Sequence, residues 1–189
     1  MMGARGLQLM TLLAAFPTLP GCLLNSVHRI TTAPSHKPDS SHAIVVIGLG
    51  VDAVAPFPVF AVTLDEYSEK KQDITGNCFR YNRIEAERPS STTQVTYYAF
   101  EVPAGIYVYS RRNVDEVTPA SSMGSAFKAQ AGKTVYFGNY VFVGHQSVEF
   151  RREIDAAAAG IKSLLPPGAT LEPGEPTPAS PTHAFICTS

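Results

Sequence analysis

The hydrophobic pattern changes sharply along the chain. Residues 7–16, LQLMTLLAAF, form a short apolar run near the amino terminus. Residues 25–42, NSVHRITTAPSHKPDSSH, are mostly Ser, Thr, Pro, His and Asn. Such a stretch carries too little apolar surface to offset its ordering entropy, which predicts a flexible tether. A linker of this length spans roughly 20–25 Å root-mean-square. From Ala43 the texture is that of strands. AIVVIGLGV (43–51) is a continuous apolar, β-branched run, which predicts a buried strand. VFAVTLDEY (59–67) predicts a second, and KKQDITGN (70–77) a turn with Gly76-Asn77 at its tip. CFRYNRIEAE (78–87) alternates with period two. Cys78, Arg80, Asn82 and Ile84 fall on one side and Phe79, Tyr81, Arg83 and Glu85 on the other, as in a half-exposed strand.

TQVTYYAFEV (93–102) and IYVYSRR (106–112) flank Pro103-Ala104-Gly105, and two aromatic strands around a short Pro/Gly turn predict a hairpin. Ala131-Gly132-Lys133 reads as a turn between FKAQ and TVYFGNYVFV. In the latter, Gly138 interrupts the alternation of Val135, Phe137, Tyr140 and Phe142, the mark of a bulge or a close backbone approach. SVEFRR (147–152) closes the run of strands. Glu153 to Leu165 is a short helix, because Ile154, Ala157 or Ala158, Ile161 and Leu165 recur at helical spacing. Pro166-Pro167 stops it. Residues 172–182 read as extended, and AFICTS (184–189) as a last strand. Seven to nine short strands with near-regular turns predict a mainly β domain over residues 43–189. The expected fold is an antiparallel β-sandwich, transthyretin- or Ig-like, with one short C-terminal helix.

Composition narrows the function classes. The net charge is −1, with 15 Lys and Arg against 16 Asp and Glu. That leaves no basic footprint for phosphate backbones, so no nucleic-acid partner is expected. The 15 Pro and 14 Gly supply the turns that many short strands need.

The amino terminus carries the most specific signal. Arg5 and the terminal amine form a positive n-region, and the apolar run after it is too short to span about 30 Å of hydrocarbon. That pattern suits a cleaved signal peptide over residues 1–21. Leu19-Pro20-Gly21-Cys22 resembles the lipobox of bacterial lipoprotein precursors, with Pro20 where Ala, Ser or Thr is usual. The resemblance implies cleavage between Gly21 and Cys22, a diacylglycerol on the Cys22 thiol and acylation, as by palmitate, of the new amino terminus. Two or more chains anchor stably, at about 0.8 kcal/mol per buried CH₂. Leu23, rather than Asp, follows the cysteine, which leans toward the outer rather than the inner membrane.

Assigning Cys22 to lipid leaves Cys78 and Cys187 as an even pair in an oxidising compartment, which allows one disulfide. Its long closed loop is worth on the order of 4–5 kcal/mol in the chain-entropy model.

Three further segments are Val102-Pro103-Ala104-Gly105-Ile106-Tyr107, Phe127 to Gly138 around Ala131-Gly132-Lys133, and Phe185-Ile186-Cys187-Thr188. Together they resemble a group of uncharacterised proteobacterial lipoprotein-like domains with a PxGxY strand, an AG-containing strand pair and a terminal Cys-containing strand. The resemblance implies a sandwich fold and an envelope location, and no activity.

Catalytic chemistry is hard to place. Gly132-Lys133-Thr134 lacks the glycine a phosphate-binding loop needs five positions earlier, where Phe127 stands. Gly48-Leu49-Gly50 lacks the third glycine of a dinucleotide fingerprint. Gly124-Ser125-Ala126 is not a nucleophile elbow, and His145 and His183 have no nucleophile motif beside them. Asp65, Glu66 and Glu69 read as solvated, as do the arginine pairs at 111–112 and 151–152. His28, His36 and His42 lack the spacing of a metal site. No catalytic residue, metal or cofactor is assigned. The expectation is a non-enzymatic envelope module whose partners are membrane lipid, through acylated Cys22, and another envelope protein. The alternatives are a glycan-binding sandwich, with Tyr97, Tyr98, Tyr107 and Tyr109 as its ligand face, and a hydrolase with a polar pocket near His145 or His183.

Overall fold

The computed structural model describes residues 24–77, 79–91, 93–110, 118–119, 125–145 and 147–180. In chain order the first strands are β1 (Leu24–Asn25), β2 (His28–Ile30), β3 (His42–Val51), β4 (Val59–Ser68), β5 (Asp73–Ile74), β6 (Arg80–Tyr81) and β7 (Arg83–Pro89). They are followed by β8 (Thr96–Pro103), β9 (Gly105–Tyr109), β10 (Thr118–Pro119), β11 (Ser125–Ala129), β12 (Thr134–Gly144) and β13 (Ser147–Arg151). Helix α1 (Ile154–Ile161) precedes β14 (Leu171–Pro173) and β15 (Pro176–Pro178).

Two sheets face each other. The first runs β10-β13-β12-β3-β8-β2, with β14 added to the start of β12. The second runs β15-β11-β9-β4-β5, with β7 also on β4. The mainly β sandwich with one short helix is what the pattern predicts. Its centre differs from the wholly antiparallel expectation, because β3 and β12 pair in parallel, Thr134 opposite Ile44 through Phe142 opposite Val51. A period-two pattern reports which face is buried and says nothing about the partner's direction.

The central strand explains the first sheet. Val45, Ile47 and Leu49 of β3 enter the core between the sheets, with Phe60, Leu64, Tyr107 and Phe137. Ile44 and Val46, on the opposite face, pack against Ala157 and Ile161 of α1. A strand covered on both faces reads as an unbroken apolar run, which is why 43–51 does not alternate. Of the Ala run only Ala157 is buried against the sheet, and the helix lies close to it. At Gly160 an added Cβ would sit 2.5 Å from the Tyr97 ring. Gly138 has φ +143, and β12 shifts register against β3 between Tyr136 and Gly138. A Cβ there would lie 2.3 Å from the Phe150 ring, so the site is both a bulge and a close approach.

Two connections depart from the sequence reading. The chain from β8 to β9 makes no hairpin. β8 pairs with β3 and β2 in the first sheet, while β9 pairs with β4 and β11 in the second. Pro103-Ala104-Gly105 is therefore an arch across the core, and both strands can direct aromatics inward. The expected tether is the other case. Residues 24–30 belong to the fold: β1 pairs with β6 and β2 with β8, and Val27 and Ile30 are buried. Asn25 replaces apolar area with hydrogen bonds, taking one from Arg83 N (3.0 Å) and giving one to Arg83 O (2.9 Å). The end of the stretch is ordered by Asp39, whose Oδ1 accepts from Ser41 N at 2.7 Å and His42 N at 3.0 Å. The Ser41 hydroxyl and amide, then His42, hold the Asp39 carboxyl below the usual carboxylate range.

Candidate functional site

A concavity lies where β3 ends. Pro56 and Pro58 break the strand pattern, and the loop at 52–58 folds back over one end of the sandwich. Asp52 N donates to Phe142 O (2.8 Å), and Ser90 N to Pro58 O (2.9 Å), tying the loop to both sheets. Phe57 plugs the core below, its ring centroid 4.9 Å from that of Phe142. Between this loop and Ser90, Ser91 and Thr93 opens a cleft of about 840 Å³ walled by Val51, Ala53 and Ala55. Val54 at its lip is 97% exposed. Charge is confined to the rim, where Arg151 bridges Asp52 (2.6 Å) and Glu149 (2.8 Å). The Ser90 Oγ is buried with no hydrogen-bond partner among the described residues. The cleft is therefore suited to apolar contact.

His145 lies at the same end, in the turn between β12 and β13, with φ +50. It is exposed, and among the described residues no carboxylate or nucleophile is bonded to its ring. A hydrolase would need that pairing. Among the described residues no group of three His, Cys, Asp or Glu side chains could hold a metal ion. The carboxylates of β4 are divided. Asp65 is buried against Arg83 (2.6 Å), whereas Glu66 accepts from Thr75 Oγ1 (2.5 Å) and Asn82 Nδ2 (2.8 Å).

The four tyrosines of the expected ligand face do not share one outward face. Tyr98 and Tyr107 are buried in the core between the sheets. The Tyr98 hydroxyl donates to Glu87 O (2.7 Å), and that of Tyr107 to Pro103 O (3.0 Å). Tyr109 stacks on Tyr140, centroids 5.6 Å apart. Tyr97 turns to the other side of β8, under α1. The arch after β8 is the reason, since it places the two pairs on different sheets. Burial raises the pKa of Tyr97 and Tyr98, and raises that of Tyr107 further, with Glu66 adding to it.

Sequence reasoning missed a buried polar network under the helix. Tyr136 donates to Asn139 Oδ1 (2.6 Å), and Asn139 Nδ2 donates to Glu153 Oε2 (2.8 Å). Glu153 N, at the start of α1, donates back to the Tyr136 hydroxyl (3.3 Å). The network satisfies the Glu153 amide at the start of a helix that no side chain caps directly. Asn139 gives no sign of it in the sequence, because it sits inside an aromatic run that reads as core. Arg88 is a second case, since it follows the alternating stretch at 78–87. It is buried, and donates to Leu49 O (2.5 Å) and Gln94 O. Ile84, Ala86 and Arg88 share the inward face of β7, so period two extended by one step would have found it. Burial lowers the Arg88 pKa.

The opposite end of the sandwich carries the start of the described chain. Leu24 N donates to Phe79 O (2.9 Å), and the two side chains are 61% and 71% exposed. Gly21, Cys22, Cys78, Cys187, His183, the arginines at 111–112 and the expected last strand lie outside the described residues. Among the described residues no helix is long and apolar enough to cross a membrane. The fold and cleft define a class, a β-sandwich domain with a helix on one outer face and an apolar cleft at one end. No protein-family model matches the chain, no curated protein is similar to it, and no solved structure matches it.

Proposed function

We propose that the chain is an exported envelope lipoprotein, anchored through acylated Cys22, whose sandwich acts as a non-enzymatic interaction module. The observation that carries this reading is the sequence Leu19-Pro20-Gly21-Cys22 after a short apolar run, with the first strand of the fold beginning two residues later at Leu24. The resemblance to uncharacterised proteobacterial lipoprotein-like domains supports it, and Leu23 after the cysteine favours the outer membrane. A Cys78–Cys187 disulfide belongs to the same reading, since lipid on Cys22 leaves those two thiols as a pair. The test is mass analysis of the amino-terminal peptide from membranes. A diacylglyceryl, acylated Cys22 is expected, and Cys22→Ser should leave an uncleaved precursor. Unmodified Cys22 in a mature, released chain would sink the proposal.

A second reading, recognition of an apolar envelope ligand, is favoured by the cleft around Val54 and Phe57. It replaces the glycan alternative, because the tyrosines that would stack on a sugar are committed to packing. An apolar fluorophore should brighten on binding the protein, and Val54→Asp should reduce its affinity. Unchanged binding in that variant would remove the cleft from consideration.

A further inference from the structure

The amino-terminal end of the sandwich has a geometry that matters once Cys22 carries lipid, so its consequences rest on the lipoprotein reading. β1 is held on β6 in parallel, Leu24 opposite Arg80 and Asn25 opposite Tyr81. Asn25 then locks the chain to Arg83 with hydrogen bonds in both directions. The fold therefore has no slack after Leu24. Leu24 stands two positions after Cys22, with Leu23 alone between them, and two steps of extended chain reach about 7 Å. The backbone of the lipid-bearing residue therefore lies within that distance of Leu24. A flexible tether of residues 25–42 would have held the domain well clear of the bilayer.

Four large apolar side chains are exposed among the described residues: Leu24, Val54, Val59 and Phe79. Leu24 and Phe79 are hydrogen-bonded neighbours at the anchored end. Arg80, opposite Leu24 in the register, is exposed beside them. Val54 belongs to the other end. β4 runs from Val59, beside the cleft loop, to Ser68, beside β5, a ten-residue strand. Such a strand is roughly 30 Å long.

We propose that Leu24 and Phe79 form an apolar foot that enters the lipid interface beside the acyl chains of Cys22, holding the sandwich upright with its cleft facing away from the membrane. The bilayer is the occupant that the geometry favours. The covalent anchor brings it to within two residues of the patch. The exposed Arg80 beside Leu24 offers a charge to phosphate headgroups, and two aliphatic or aromatic side chains are what an interface accepts. The foot and the short connection together turn an anchor into an orientation.

The chain contains no Trp, so one substitution supplies a unique reporter. Acylated full-length protein would be placed in phosphatidylethanolamine–phosphatidylglycerol vesicles with a fraction of the lipids brominated high on the acyl chain. Phe79→Trp and, separately, Val54→Trp would be compared, with the mass of the amino-terminal peptide read from the same preparation. Phe79→Trp emission should be blue-shifted and quenched by at least about twofold, and Val54→Trp emission left unquenched, as expected for side chains at and beyond interfacial depth. Lipidated protein in which the Phe79→Trp indole is unquenched, or in which both variants are quenched alike, overturns the foot while the anchor stands. A chain with no lipid on Cys22 overturns both.

Discussion

Buried hydroxyls divide into those with partners and those without. Tyr140 is enclosed in the core with its OH unpaired among the described residues, against the Tyr109 and Phe150 rings. An unpaired buried polar group costs about 1–3 kcal/mol. Tyr140→Phe keeps the ring contacts and removes the hydroxyl. It should raise stability by roughly 1 kcal/mol in urea denaturation, and a loss of stability would show that the hydroxyl has a partner. The same burial has a pH consequence. Desolvation pushes the Tyr136 hydroxyl up to about 12, and raises Tyr140 and Tyr107 well above their ordinary value of 10. Between pH 10 and 12 the unfolded chain has released the Tyr136 proton and the folded chain still holds it. Stability is therefore intact below pH 10 and falls as pH rises through that window, by up to about 1.4 kcal/mol per pH unit per tyrosine. Melting temperature against pH should be flat to about pH 10 and then drop, with the tyrosinate absorbance of these residues developing only as the fold opens. Their titration in a fully folded protein would contradict the packing.

At the scale of elements, the short strand β2 separates a tether from a structural arm. Ile30 is buried on the helix side of the first sheet with Ile44 and Ala157. Ile30→Ala should therefore cost about 2–4 kcal/mol, within the range for an isoleucine truncated in a core. In a solvated tether the same change would leave the melting temperature unmoved. The arm is hidden in the sequence for a physical reason. Val27 and Ile30 are the buried apolar residues there, and the rest of the ordering comes from strand pairing to β6 and β8 and from Asn25 and Asp39 bonding to backbone. Side-chain-to-backbone bonds leave no periodic trace. The strands from 42 to 68, the turn at Gly132, the bulge at Gly138 and the helix after Glu153 are legible, since each rests on local pattern or on one glycine. The arch after Pro103 is not, because a short turn joins strands equally well within a sheet or across a core. The absence of a tyrosine face has the same origin: alternation assigns sides of one strand, and the arch decides what those sides meet.

For the whole molecule, the cysteines link the address of the chain to its covalent structure. The β1–β6 register sets Leu24 opposite Arg80. Cys22 and Cys78, each two positions earlier in the sequence, lie outside the described residues. In the lipoprotein reading Cys78 would meet an oxidising compartment with Cys22 and Cys187 as its candidate partners, and lipid on Cys22 would leave Cys187. A thioether-linked diacylglycerol removes the Cys22 thiol from exchange, because a disulfide forms only through attack by a free thiolate. The processed protein should therefore show Cys78 linked to Cys187 in a non-reducing peptide map, with Cys22 found only in a lipid-bearing peptide. In an exported Cys187→Ser variant, lipidated chains should carry Cys78 as a free, alkylatable thiol. A Cys22–Cys78 link in wild-type protein would mean that Cys22 carries no diacylglycerol. The amino-terminal strand would then be fastened to β6 by a covalent bond, and Leu24 and Phe79 would be an ordinary exposed edge of the domain.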